Sequence, residues 1–483
     1  MNTKPQLVRA LGLSTAVLLV ISSMIGSGVF KKIAPMSADL QSSELVLIAW
    51  LLAGIVSMLG VFTYSGLASL TEEGGGQFEY FRIIFGPFFG YLFGWACFTV
   101  IQSASIASIA YVFAESVNNI IPLGDPLAAW ADVKLFGTLT VFKNSGIKIL
   151  TILTIIILTW INVKGVRKGG VLNNIFSAAK IGGIALLIIA GLLLHRNGSQ
   201  DALIAQQPFE PVHYTGILLI SVMFTAMLQA FWAYDGWINV SYIAGEVKNP
   251  RRNIPIAIIG GTAVVMVLYT LVNMVYLQVL PVQSFIEIDR SGTEIAAAEV
   301  AHVLLPGFGF VAISILIMVS TFGATNASLM SSPRIYHQMA NKDLFFKTFG
   351  ETHPKYHTPH KSLWWQMIWS SVLVISGSFD QLTDMLVFAS FIAYGSGAAG
   401  LLYMKYKGKK IIHPDGRVEV LRITKKVFGF PVIPVLFLLF CIGLVVNTLN
   451  TKTEESLTGL AFIAAGIPLY FLFKKKSAKQ ELP

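Results

Sequence analysis

Two short polar interruptions stand inside long apolar stretches. Gly26-Ser27-Gly28 interrupts the run Leu13–Ala34. Tyr234-Asp235-Gly236, flanked by Trp232 and Trp237, interrupts the run Gly216–Ala244. A membrane helix unwound at such a point exposes N–H groups at the start of one half and C=O groups at the end of the other. The N–H end is positive and favours a carboxylate, while the C=O end is negative and favours an ammonium. A zwitterion with both charges a few ångströms apart fits that chemistry. Glycines at 26 and 28 permit close backbone approach and unusual dihedrals, and Ser27 adds a hydroxyl. Gly-Ser-Gly also serves plain helix packing in membranes, so the triplet alone fits either role.

The elements that must hold these breaks are set by composition. Of 483 residues, 54% are hydrophobic and only 12% charged, and the mean hydropathy is +0.68. A soluble chain could not cover that much apolar surface. Apolar blocks near the 20 or so residues needed to cross the hydrocarbon layer recur along the sequence. Twelve are predicted: Leu13–Ala34, Leu45–Leu67, Pro87–Val117, Ile147–Val163, Leu172–Leu194, Gly216–Ala244, Ile254–Leu280, Phe308–Gln338, Leu363–Ser378, Met385–Tyr406, Phe428–Leu449 and Leu457–Phe473. The chain therefore reads as an all-α polytopic membrane protein with 12 transmembrane helices. The first segment is too long for a cleaved leader and ends in Lys31-Lys32.

With both termini in the cytoplasm, most Lys and Arg fall inside and the acids lean outside, the positive-inside pattern. The net charge of +10 then follows from topology and implies no nucleic-acid partner. Membrane lipid is the expected surroundings, with Lys474–Lys476 available to anionic headgroups. Cys97 and Cys441 both lie in apolar segments and offer neither a disulfide framework nor a metal cluster. Of the loops, Thr71–Phe85 reads as a glycine hinge and short helix, and Thr293–His302 as a short amphipathic helix.

Two charges fall within apolar segments. Lys180, in the fifth, is expensive at the bilayer centre and therefore expected to be buried and functional. Its alternatives are a structural tie, a proton-exchanging group or a snorkelling ammonium. Asp235 sits in the sixth-segment break, where it could pair with a cation, be protonated, or cap a half-helix. Paired breaks in two five-helix halves point to a transporter site at the bilayer midplane. The offset that carries Ser27 onto Asp235 carries Lys180 onto Phe388, in segment ten. Glu246 and Arg334 are candidates for a cytoplasmic gate, read as an exposed pair of little energetic weight. His353, His357 and His360 lack the acidic or cysteine partners of a metal site. No catalytic triad, phosphate loop or paired-carboxylate arrangement is visible, so neither an enzyme nor a metal or other cofactor is expected.

Met24-Ile25-Gly26-Ser27-Gly28-Val29-Phe30 resembles the first-helix signature of the amino acid–polyamine–organocation superfamily. The likeness is strongest to its L-type amino-acid transporter branch and to bacterial serine/threonine exchangers. Phe231–Trp237, Gly245–Pro250, Ile254-Pro255, Phe322-Gly323, Asn326–Ser332 with Arg334, His353-Pro354 and Thr358-Pro359 extend the resemblance in order over nearly the whole chain.

The resemblance implies a 5+5 inverted-repeat fold with discontinuous helices 1 and 6 plus two additional helices. The repeats would be 1–200 and 201–410, with 411–483 holding the last two helices. It also implies that Gly26, Ser27 and Gly28 hold a substrate carboxylate, and that backbone near Met24, Trp232 and Asp235 holds the amino group. Trp232 resembles an aromatic gate; Trp237, Gln102 and Phe388 are further candidates for the pocket. Lys180 resembles the group that replaces a sodium ion in sodium-coupled relatives, joining helix five to one and eight. Asp235 stands where many relatives carry a small residue.

The expected function is sodium-independent exchange of neutral L-amino acids by alternating access in the cell membrane. Alternatives are a proton-coupled uptake permease, a carrier of cationic amino acids, or a non-transporting amino-acid sensor. Eukaryotic members of the branch join a glycoprotein through a cysteine after segment three. The loop Asn118–Gly146 has none, so no disulfide-linked partner is expected, and the chain is read as a monomer or weak homodimer.

Overall fold

The computed structural model describes residues 9–133, 141–194, 212–291, 295–376, 379–412 and 418–480. Among these, 11 helices are long and apolar enough to cross a membrane: Leu13–Lys31, Ser43–Leu67, Pro87–Ile120, Ser145–Val163, Gly169–Leu194, Gly216–Tyr234, Pro250–Val279, Gly309–Asn341, Phe379–Tyr406, Val432–Thr451 and Thr453–Phe473. The predicted block at Leu363 is helical over His360–Ser376, with 17 residues. That is about 25 Å of helix, at the short end of the spanning range. It is counted below as the ninth span, giving twelve in chain order. Large apolar side chains such as Leu51, Ile55, Leu186, Leu193, Ile217, Leu439 and Val446 are exposed. Such a surface suits lipid and not water.

The two ends of the bundle are told apart by what they gather. At one, the terminal face, the Leu11 N–H donates to the Glu246 carbonyl at 3.0 Å and the Lys248 N–H to the Leu11 carbonyl at 2.8 Å. Phe473, ending the twelfth span, packs on Phe345 and Phe346 beyond the eighth. At the opposite, far face, Lys31, Lys32 and Lys452 pair with Glu115, Asp380 and Asp384.

Both predicted breaks are present. The first helix stops at Met24 and resumes at Gly28. The sixth stops at Tyr234, Asp235 is extended, Gly236 takes φ +99°, and helix resumes at Asn239. The expectation of unusual dihedrals at 26 and 28 is corrected: the left-handed glycine of the two breaks is Gly236. Gly28 is needed instead for contact, since a Cβ there would lie 2.6 Å from Ala233 Cα, whereas one on Gly26 would meet nothing closer than 3.6 Å.

The hinge after the second span leads into a helix at Gln77–Phe85. It is separated from Pro87 by Gly86 at φ +102°. The short far-face helix is Ala296–Leu304; 293 and 294 of the predicted one lie outside the described residues. The basic loop after the tenth span holds an antiparallel hairpin that hydropathy did not anticipate, Lys409–Ile412 paired with Val418–Leu421.

Candidate functional site

Around the two breaks the chain leaves a narrow cleft. Its walls come from the first break (Ser23, Met24, Gly26, Ser27, Gly28), the third span (Ser105, Ile109) and the sixth (Trp232, Asp235, Gly236, Asn239). Three buried polar atoms on these lining residues, Ser23 Oγ, Ser27 Oγ and Trp232 Nε1, have no hydrogen-bond partner. Buried polar atoms are nearly always satisfied, so these leave donors and acceptors free for a bound molecule or water. Asp235 Oδ1 accepts a 2.6 Å hydrogen bond from the Tyr394 hydroxyl. A second, aromatic chamber begins behind the same carboxylate, lined by Phe231, Trp237, Phe391 and Tyr394 among others.

The ends of the half-helices are capped by side chains from other spans. Lys180 Nζ donates to the Ile25 carbonyl at 2.6 Å and the Ser22 carbonyl at 3.1 Å. Ser320, on the eighth span, donates to the Ile25 and Gly26 carbonyls at 3.2 and 3.0 Å. The C-terminal, negative end of the first half-helix thus meets an amine and a hydroxyl from other spans. Tyr269, on the seventh span, donates to the Met24 carbonyl at 2.8 Å and the Ala233 carbonyl at 3.2 Å. Helices one, five and eight meet at Lys180.

Residues 11–473 match the family model described as amino acid permease. The chain belongs to the amino acid permease family. It is similar to the human b(0,+)-type amino acid transporter 1, with 29% identity covering 97% of this chain and 88% of that protein. The serine/threonine exchanger SteT of Bacillus subtilis is 27% identical, covering 98% of each. The human large neutral amino acids transporter small subunit 2 is 27% identical, covering 96% of this chain and 80% of that one.

In this member of the family, Met24, Gly26, Ser27, Gly28, Trp232 and Asp235 line the cleft, while three other candidates do not. Gln102 lies beside it, donating from Nε2 to Asn239 Oδ1 at 3.3 Å. Trp237 stacks on Tyr394 at 5.0 Å and lines the aromatic chamber. Phe388 is buried against Gly459 of the twelfth span. The Glu246–Arg334 pair is corrected from exposed to buried. Arg334 Nε lies 2.7 Å from Glu246 Oε1, with both side chains 1% exposed. His353 Nδ1 accepts the N–H groups of Lys355 and Tyr356, a local turn cap.

Sequence reading missed Tyr269, Tyr394, Asn239 and Ser320. A tyrosine amid the apolar block Ile254–Leu280 carries one signal, the need of its hydroxyl for a buried partner. A membrane serine carries none, because it readily returns its hydroxyl to its own helix.

Proposed function

We propose that the protein is a sodium-independent exchanger of neutral L-amino acids, working by alternating access rather than by catalysing a reaction. The observation that carries this reading is the cleft between the two helix breaks, with the orphaned Ser23, Ser27 and Trp232 atoms on its wall. The substrate carboxylate binds at Gly26, Ser27 and Gly28, on the N–H side of the first break. The ammonium binds toward Asp235 and the end of the sixth half-helix at Trp232. The Met24 carbonyl contributes less than the sequence led one to expect, because Tyr269 and the Gly26 N–H already engage it. Trp232 covers the substrate on the far-face side. Gln102, Trp237 and Phe388 shape the surroundings of the cleft and not its wall. Lys180 takes the place of a mobile cation, and Glu246–Arg334 closes the terminal face.

The charge asymmetry favours a cell-membrane protein with both termini in the cytoplasm. The two repeats run over 1–200 and 201–410, followed by 411–483. The chain acts as a monomer or weak homodimer without a disulfide-linked subunit, since both of its cysteines are buried. Asp235 favours a second reading, a carrier of cationic amino acids, because its carboxylate stands on the cleft wall. A proton-coupled permease is the third, with Lys180 as the group that titrates.

Uptake of a radiolabelled amino-acid panel into proteoliposomes, with and without unlabelled amino acid inside, tests all three. Uptake that requires internal amino acid and ignores sodium and proton gradients supports exchange, and the panel ranks neutral against cationic substrates. Uptake into empty vesicles driven by an inward proton gradient sinks the exchanger.

A further inference from the structure

The third span is not a continuous α-helix. Between Pro87–Ala96 and Gln102–Ile120, residues Cys97–Ile101 form a π-helical turn, the one such turn among the described residues. The Gln102 N–H accordingly reaches back five residues, to the Cys97 carbonyl. Such turns are rare and gather at functional sites. Three successive carbonyls of this one accept hydrogen bonds from side chains. The Tyr336 hydroxyl, at the terminal-face end of the eighth span, donates to the Cys97 carbonyl at 3.2 Å. Ser103 Oγ donates to the Phe98 carbonyl at 2.7 Å, and the Trp369 indole N–H, on the ninth span, to the Thr99 carbonyl at 3.0 Å. Tyr336 is itself held: Gln366 Nε2 donates to its hydroxyl at 3.0 Å, and Ser332 Oγ donates to Gln366 Oε1 at 2.9 Å. The Phe98 ring packs edge-on to Tyr336 at 5.2 Å and stacks with Trp369 at 6.3 Å.

We propose that Tyr336 and Trp369 are positioning residues that hold the third span in its π-turn and so decide which of its side chains form the cleft wall. The inference rests on the cleft being the transport site. Neither residue lines the cleft. A π-turn absorbs one residue, so every side chain after it is turned about 100° from where an unbroken α-helix of the same sequence would place it. Ser105 and Ile109 reach the cleft wall, and Gln102 reaches Asn239, from beyond this turn. An unbroken helix would instead bring Ala104 and Ser108 to the places of Ser105 and Ile109. Where a helix ladder is interrupted, its carbonyls need donors from elsewhere. Here spans eight and nine supply them, one from each.

The test pairs transport with a reading of register in the full-length protein. Tyr336→Phe and Trp369→Phe keep the rings and delete the donors. Each is expected to raise the KM for amino acid up to about tenfold, the scale of one net hydrogen bond, with folded yield near the parent's. Register is read by thiol labelling, with the buried Cys97 and Cys441 replaced by alanine. Ser105→Cys is expected to label and to be protected by added amino acid, and Ala104→Cys, fully buried, to stay unlabelled. Combining Tyr336→Phe with Trp369→Phe is expected to raise labelling of Ala104→Cys relative to Ser105→Cys about tenfold. Deleting Val100 from that double variant removes the residue that the π-turn absorbs, and is expected to return KM and labelling ratio toward the parent's. Two folded, monodisperse single variants with unchanged KM would show that Tyr336 and Trp369 only pack. So would a double variant with the parent's labelling ratio; if the double variant does not fold, the ratio is read in each single variant. A deletion variant that folds and keeps the raised KM also overturns the register account. Protection of Ser105→Cys in the parent tests the cleft by itself, so failure of the transport site and failure of the π-turn give different results.

Discussion

Lys180 Nζ sits 2.6 Å from the Ile25 carbonyl oxygen, so the fifth span closes the end of the first half-helix with a covalently tethered amine. On the proposed reading, in which Lys180 takes the place of a mobile cation, no sodium gradient is needed to fill that place. Replacing external sodium with choline is expected to leave wild-type uptake unchanged. Lys180→Met leaves the Ser22 and Ile25 carbonyls without that donor and is expected to cut the maximal rate about tenfold or more, with sodium failing to restore it. Sodium-stimulated uptake by the wild type would remove this account of Lys180.

Trp232 separates the cleft from Phe379, and its indole N–H is buried without a partner. Truncation to alanine removes both the cover and a donor. Trp232→Ala is expected to raise the KM for external amino acid about tenfold, roughly the worth of one aromatic contact plus one hydrogen bond. Trp232→Phe, which keeps the ring but not the N–H, should fall between. An unchanged KM in the alanine variant would show that Trp232 is ordinary packing.

Two glycines of one triplet should behave differently. Gly28→Ala would drive a methyl to 2.6 Å from the Ala233 backbone, while at Gly26 the nearest atom would be 3.6 Å away. Gly28→Ala is therefore expected to separate the two broken helices and abolish exchange. Gly26→Ala should retain the folded yield and thermal midpoint of the wild type. Fluorescence-detected size exclusion with a heating series measures both, and equal damage from the two variants would contradict the close approach.

The Glu246–Arg334 pair is buried, and Arg334 Nη1 has no partner even with Glu246 in place. Glu246→Gln leaves a buried guanidinium without its counter-charge, a loss of about 3–5 kcal/mol. A clear drop in thermal midpoint in detergent is expected, and a smaller one for Glu246→Asp. A midpoint unchanged in the glutamine variant would show that water reaches the pair.

Asp39, just beyond the outer half of the first span, has its carboxyl pushed up to about 6. Burial is the main cause and Asp289 and Asp384 reinforce it, with Lys452 and Lys32 opposing. The folded state therefore holds this proton more tightly than the unfolded chain. The resulting stability is fully present below the ordinary aspartate range and is lost as pH rises through about 6. Asp39→Asn is expected to raise the thermal midpoint at pH near 7.5 and to have little effect near pH 4. A midpoint difference independent of pH would exclude the effect.

Hydropathy and charge bias sufficed for the span count and for both breaks, because lipid enforces continuous helices and makes any interruption conspicuous. Lys180 was legible for the same reason: an isolated charge in an apolar run has few uses. The contacts that complete the site were not. Tyr269 and Tyr394 reach the breaks from spans seven and ten, and no local pattern encodes that reach. Gln102 and Phe388 were placed in the pocket by helix number, yet rotation about the helix axis turns Gln102 to Asn239 and Phe388 to the twelfth span. Asp380 and Lys32 lie far apart in sequence, and no local pattern pairs them.

The Tyr269 hydroxyl has one hydrogen and two carbonyls to serve, those of Met24 and Ala233. Those carbonyls end half-helices that enter the membrane from opposite sides. A three-centre bond holds only while both oxygens stay within reach of the same donor. A rotation that parts Met24 from Ala233 leaves the hydroxyl serving only one of them, and the Met24 oxygen alone keeps a second donor, the Gly26 N–H. One hydroxyl of the seventh span thus ties the terminal-face half of helix one to the far-face half of helix six.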